Sequence, residues 1–376
     1  MSEPHHVRVG FIPLTDCAPV VMAAHWGYDR RHGIEIELVR APSWAAIRDG
    51  LLTGTLDAAH ALYGLVYGVQ LGLGGPQRDL AVLMTLNRNG QAITLSRRLL
   101  DLGIVEGQAL AARIRSDPRR YSFAQTFPTG THALWLYYWL ASFGVHPFRD
   151  IDNLTVPPPQ MVANLAVGNV DGYCVGEPWN ALAISQGVGF TVATSQSIWP
   201  DHPEKVLTAT DRFVSARPDD ARALVMAVLE ACRELDTPQG RLEAARILAG
   251  PDYVNVPVEI IAGRLTGEYE DGRGDRWQDP HFMRFHADGE VNFPWLSDGM
   301  WFLTQFKRWG LLPEHPDYLA VARRVNRTGL YREAAAALGI AQPEGDTRTS
   351  VLMDGRVWDG NDPVAYAAGF EIAAEV

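Results

Sequence analysis

YSFAQTFPTGTHALWLYYWL, residues 121–140, contains the strand–turn–helix unit around which the chain is organised. Tyr121 to Thr126 reads as a short buried strand. A Pro-Thr-Gly-Thr turn follows, and then a helix from Thr131 to Phe143 carries His132 in its first turn. A helix start leaves backbone N–H groups without intrahelical partners, and its dipole places partial positive charge there. Thr129 and Thr131 add hydroxyls, Gly130 lets a ligand approach the backbone, and His132 adds a ring donor, which together describe a small-anion site. Taken alone, the same residues also fit an ordinary strand–turn–helix with Thr131 as its N-cap.

The same grammar extends to both sides. Strands are predicted at 7–13, 34–39, 57–62, 80–86 and 92–96, with helices at 18–27, 44–53 and 65–71 between them. After a helix at 107–115 and the 121–140 stretch come a strand at 154–156, a helix at 160–167, a strand at 172–175, a helix at 178–186 and a strand at 189–193. Alternating strands and helices imply an α/β fold with parallel sheets covered by helices. Two blocks share a local echo: Leu52-Thr53-Gly54-Thr55-Leu56-Asp57-Ala58 and Ala166-Val167-Gly168-Asn169-Val170-Asp171-Gly172 each end a helix and start a strand. Glycine is expected as the C-cap and Asp as the residue that turns the chain. Two such matches predict two similar lobes, with crossings near Ser96 and Ala193: residues 1–96 plus 194–376 in lobe I and 97–193 in lobe II. Arg217-Pro218-Asp219-Asp220 opens a helix to Leu235. Residues 236–340 read as mainly helical, with a charged, Gly-rich loop at 268–279, a core stripe of Trp301, Phe302, Phe306 and Trp309, and a turn-rich tail from Pro343 that packs back as an arm.

Composition narrows the function. With 47% apolar and 20% charged residues the chain is globular in type, and 376 residues suffice for two cores. A formal charge of −11 argues against direct nucleic-acid or anionic-membrane partners, but not against a small anion in a local field. Cys17, Cys174 and Cys232 have no CxxC or zinc-ligand spacing and fit reduced thiols of a cytoplasmic protein. MSEPHHVRVGFIPL has no basic n-region, apolar h-region or small-residue cleavage site, so no export signal is expected, and no apolar run reaches transmembrane length. Of 33 basic residues only Lys205 and Lys307 are lysines, so each is either a place that calls for a compact ammonium or a chance survivor of a bias towards arginine.

The motifs Phe127-Pro128-Thr129-Gly130-Thr131-His132, Val156-Pro157-Pro158-Pro159-Gln160-Met161, Val175-Gly176-Glu177-Pro178-Trp179-Asn180 and His202-Pro203-Glu204-Lys205 resemble those of the nitrate-binding proteins of ABC transporters and their bicarbonate-binding relatives. Arg48-Asp49, Asn89-Gly90-Gln91 and Met300-Trp301-Phe302-Leu303 carry the same likeness, which runs from Val7 to about Pro316. Within that family a chain without an export signal is similar to the cytoplasmic nitrate/nitrite sensors of the NasS type, which act through an RNA-binding antiterminator of the NasT type. The resemblance implies a two-lobed, periplasmic-binding-protein-like clamp of type II with ligand in the cleft. It also implies a pocket of Trp44, Gln91, His132, Pro158, Val175 and Lys205, to which the helix-start reading adds Thr131. Lys205 and His132 match the cationic contacts, Gln91 the amide donor, and Pro158 and Val175 the apolar or backbone walls. Bicarbonate binders place an acidic residue at the Lys205 position and use a metal ion, so nitrate or nitrite is favoured and no metal or other cofactor is expected.

Three functions compete at this point. The leading one is a cytoplasmic switch in which nitrate or nitrite closes the clamp and alters binding of the antiterminator, which requires different ligand affinity in the two states. The alternative is the substrate-binding component of a nitrate or bicarbonate ABC transporter. An enzyme using Cys174 or His132 is the third, but no orienting acid accompanies either. Glu177 and Trp179 read as structural anchors.

Overall fold

The computed structural model describes residues 4–374; residues 1–3, part of the polar start, and 375–376 lie outside the described chain. Two sheets form the core, and their strands are, in chain order, β1 (His5–Phe11), β2 (Ile34–Arg40), β3 (Ala58–Leu62), β4 (Leu80–Thr85), β5 (Gln91–Ser96), β6 (Ser122–Gln125), β7 (Asp152–Thr155), β8 (Gly172–Gly176), β9 (Gly189–Thr194) and β10 (Lys205–Thr210). The first sheet runs β2-β1-β3-β10-β4 and the second β7-β6-β8-β5-β9. In the first, β1 is parallel to β2 and β3, while β10 is antiparallel to β3 and β4. The second repeats this with β6 parallel to β7 and β8, and β5 antiparallel to β8 and β9. β3, β4 and β5 are buried along their whole length, which is why AAHAL and LAVLMT are near-continuous apolar runs.

The two orders correspond strand for strand, and each half receives its antiparallel strand directly after a crossing. The outward crossing therefore lies between Thr85 and Gln91, not near Ser96 as expected. Gln91–Ser96 pairs with β8 and β9 of the second sheet, a partnership its own apolar pattern does not specify. The return crossing runs from Thr194 to Lys205.

The sequence echo has a common physical cause. Gly54 (φ 76°) and Gly168 (φ 78°) end their helices in the left-handed conformation. Asp57 then accepts the Arg8 backbone N–H at 2.9 Å, and Asp171 accepts that of Ser122 at 2.9 Å, so each carboxylate pins the neighbouring strand, mid-length in β1 and at the start of β6.

The helix Leu296–Arg308 buries Trp301, Phe302 and Phe306, as the aromatic stripe predicts. Residues 268–279 are not an open loop: Glu268–Glu270 and Arg276–Gln278 pair as an antiparallel hairpin with Tyr269 buried. The tail packs back as an arm. Arg348 Nε meets Asp298 at 2.8 Å and Trp358 Nε1 donates to the Ser297 carbonyl at 2.8 Å. Further along, Tyr138 donates to Asp354 at 2.8 Å and the His146 ring lies 3.1 Å from the Ala373 carbonyl, so the arm touches helices associated with both sheets. Among the described residues no helix is long and apolar enough to cross a membrane.

Candidate functional site

In parallel α/β sheets, ligands sit beyond the carboxyl ends of the strands. Here those ends converge from both sheets. Asp16 follows β1, Trp44 opens the helix after β2, and His132 stands in the first turn of the helix after β6. Lys205 and Gln91 are the first residues of β10 and β5, the two strands entered directly from the crossings. All five are fully buried.

Their hydrogen bonds form one network. Lys205 Nζ donates to Asp16 Oδ2 and to Glu204 Oε1, each at 2.8 Å. Asp16 Oδ1 accepts from His60 Nε2 at 2.8 Å, and Asp16 Oδ2 from Gln91 Nε2 at 3.2 Å. With its amide nitrogen on that carboxylate, Gln91 turns Oε1 to His132 Nε2 at 2.8 Å. The His132 tautomer assigned by this network has Nε2–H donating to Gln91 and Nδ1 accepting from the Thr126 hydroxyl at 2.6 Å. His132 Nε2 and Lys205 Nζ, both donors, then lie only 3.4 Å apart. Two N–H groups that close share an acceptor or repel. Trp44 completes the set: its ring lies 5.7 Å from Lys205 Nζ and 5.4 Å from the His60 ring, while its indole N–H is buried with no acceptor. Unpaired buried donors of this kind are rare and call for an explanation.

The charges follow from burial and partners. Burial raises the Asp16 carboxyl, but the Lys205 ammonium and the His60 hydrogen bond outweigh it and leave it well below the ordinary range. For Lys205 burial is outweighed by Asp16 and then Glu204, and its pKa is raised. Glu204 is pushed up by burial in spite of Lys205. Burial and then Lys205 push His132 far down, and burial takes His202 to about 3, so both rings are neutral near pH 7. Counting Asp16 (−1), Glu204 (−1) and Lys205 (+1), the enclosed cluster carries −1 when both acids are ionised.

Several expectations change. Thr131 is the first helical residue and caps nothing; Gly130 is the N-cap, and the Thr131 hydroxyl donates to Glu204. Trp135 Nε1 donates to the other Glu204 oxygen at 2.8 Å, so the anion held by this helix start is the protein's own carboxylate. Pro158, in the turn after β7, and Val175, in β8, are buried apolar positions. Sequence reasoning assigned no role to Asp16, His60, Glu204 or Gly176. A Cβ on Gly176 would lie 2.6 Å from Gln91 Oε1 and 3.4 Å from Asp16 Oδ2, so glycine is needed for the close approach. A histidine inside the apolar run Ala58–Leu62 was the one legible hint of the network. Glu177 and Trp179 are anchors as read: Trp179 Nε1 donates to the Pro13 carbonyl at 3.0 Å, the Glu177 carbonyl accepts the Thr15 N–H at 2.8 Å, and Arg264 meets the Glu177 carboxylate at 3.1 Å. Cys174 is buried, which raises its thiol far above the range of a nucleophile.

Two corresponding α/β halves with a buried polar cluster between them define a two-lobed solute-binding protein of the periplasmic-binding-protein fold. The NMT1-like family model matches residues 1–249. The nitrate/nitrite binding protein NrtA of Synechococcus elongatus is 38% identical over 389 residues, covering 99% of this chain and 87% of that protein. The nitrate import ATP-binding protein NrtC of Synechocystis is 39% identical over 378 residues, where this chain spans 56% of the longer protein. In structure, the periplasmic nitrate-binding protein NrtA from Synechocystis superposes with a TM-score of 0.94 at 35% identity, over 98% of this chain and 99% of that one. The chain belongs to the NMT1-like family and, within it, to the NrtA/CmpA-like substrate-binding proteins of ABC transporters.

Proposed function

We propose that the chain binds nitrate or nitrite between its two sheets as the substrate-binding component of an ABC importer. One observation carries the reading: three buried N–H donors, on Lys205, His132 and Trp44, gather where the two halves meet, two of them 3.4 Å apart and the third with no acceptor. A flat monoanion with acceptor oxygens in its plane fits this donor set, and each charge-assisted bond in a dry site contributes about 1.5–3 kcal/mol. The relatives that bind nitrate by name support the same ligand. Trp44, Gln91, Thr131, His132, Pro158, Val175 and Lys205 form the proposed ligand set, Thr131 acting through Glu204. A lysine at position 205 favours nitrate or nitrite over bicarbonate.

Isothermal titration with nitrate, nitrite, bicarbonate and sulfate tests the reading. Heat is expected from the first two, and Lys205→Glu removes it. No heat from either nitrogen oxyanion would overturn the proposal.

The second reading is a cytoplasmic sensor whose ligand state alters its grip on an RNA-binding antiterminator. The observation in its favour is that Cys17, Cys174 and Cys232 are all buried, unpaired thiols, as in a reducing compartment. Co-purification with such a partner in the presence and absence of nitrate separates the readings: a nitrate-sensitive complex supports the sensor, and nitrate-independent loss of the partner supports the importer.

A further inference from the structure

A second cavity, of about 510 Å³, lies beside the outward crossing and is lined by Arg88, Phe293, Trp295 and Arg348, with Asp288 and Glu290 also on its wall. We propose that it is a binding site for a small organic carboxylate with a flat apolar body. This proposal does not rest on the nitrate reading.

Arg88 is rooted in the crossing itself. Its backbone N–H donates to the Arg284 carbonyl at 2.9 Å, its carbonyl accepts from Arg284 at 3.2 Å, and it also bridges Pro203 on the return crossing. Its guanidinium donates to the Glu290 carbonyl and forms no ion pair among the described residues. Arg348 is held by Asp298 and by the Asp201 carbonyl at 3.1 Å. Burial and then the nearby Arg348 charge lower Arg88 to about 10, and Asp298, Asp201 and Glu290 offset them only in part. Trp295 contributes an indole N–H that is buried with no acceptor. Its ring meets Phe293 edge-on at 4.8 Å, giving an aromatic wall.

Two guanidinium groups suit a carboxylate, and the half-buried Trp295 ring, braced from behind by Phe293, suits a flat apolar body. The volume is in the range of sites for small organic molecules and far exceeds a bare inorganic monoanion. Exposed Asp288 and Glu290 disfavour a dianion and tolerate an ammonium, so an aromatic acid and an aromatic amino acid share the required chemistry. The cavity also lies one residue from the other cluster, since Asn87, next to Arg88, accepts the Lys205 backbone N–H at 3.3 Å.

Calorimetric titration of the full chain with phenylacetate, its uncharged amide phenylacetamide, and L-phenylalanine tests the assignment. Phenylacetate is expected to bind at least about tenfold more tightly than the amide, the scale of one charge-assisted hydrogen bond. L-Phenylalanine binding more tightly than phenylacetate identifies amino acids as the source, and weaker binding identifies organic acids. Arg88→Met is expected to weaken phenylacetate about tenfold or more. Trp295→Phe, which removes the indole N–H and part of the aromatic wall, is expected to weaken it severalfold and serves if the Arg88 variant does not fold. Excess nitrate should not displace phenylacetate from the native chain, which separates this cavity from the buried cluster. The proposal is overturned if neither carboxylate binds at ~10 mM, if the amide binds as well as the acid, or if both cavity variants bind like the native chain.

Discussion

Replacing Lys205 with methionine tests whether the buried cluster is an ion network held by one ammonium. Lys205 Nζ meets two carboxylate oxygens at 2.8 Å, and all three groups are fully buried. Methionine preserves the volume and removes the charge. Asp16 would keep His60 and Gln91 as partners, and Glu204 would keep Thr131 and Trp135, so no atom loses its last hydrogen bond. What remains is two buried negative charges without a cation. Removing one partner of such a pair costs about 3–5 kcal/mol. The pH dependence is the sharper signature. In the native chain the Asp16 pKa is lowered, so its contribution is present above the unfolded value near ~4 and is lost as pH falls below it. Lys205 is raised, so its contribution is present below ~10.4 and is lost as pH climbs through the folded value. Native stability from this pair is therefore flat between about pH 5 and 10. In the variant the carboxylates lose the ammonium that holds them ionised, their pKa values rise, and the deficit shrinks on going from pH 8 to pH 5. Urea unfolding of both proteins at pH 5, 7 and 8.5 without added anion measures this. A deficit below about 1 kcal/mol at pH 7, or one that does not change with pH, would refute the network.

Three further outcomes follow from the same geometry. Because the cluster carries −1 with Asp16 and Glu204 ionised, a bound monoanion raises Glu204 further, so nitrate binding is expected to take up a proton and weaken by up to about tenfold per pH unit as pH rises; titration in buffers of different ionisation enthalpy reads the proton number, and zero would contradict it. Trp44→Phe keeps an aromatic face beside Lys205 but removes the unpartnered N–H together with part of the buried indole, so it should cost about 1–2 kcal/mol in urea unfolding while nitrate affinity falls about tenfold in calorimetry. Gly176→Ala forces a Cβ to 2.6 Å from Gln91 Oε1 and should cost about 1–3 kcal/mol in urea unfolding, with anion affinity lost in step.

Much of this architecture was legible because each element states its own case. The paired glycine caps at Gly54 and Gly168 and the aspartates behind them announced two like halves, and the apolar runs announced covered strands. Partnership was not legible. Nothing in Gln91–Ser96 says which sheet it joins, because a fully buried strand has the same composition in either. Thr131 has the look of a cap, yet its hydroxyl is captured by Glu204, far along the chain. Asp16 and Glu204 escaped notice because an acid at an anion site makes sense only once Lys205 stands between them. The hairpin at 268–278 was hidden by charged residues that face outward on a two-stranded ribbon.

The tail deserves a mechanical reading. Two covalent crossings already join the halves, and the arm adds a non-covalent tie to those made by Trp179 and Glu177: it is fastened at Ser297 and Asp298 on one side and to Tyr138 and His146 on the other. Any parting of the sheets must either turn about the arm as a strap, keeping the gape narrow, or unfasten it first, making residues 348–373 the latch that sets how far the mouth opens.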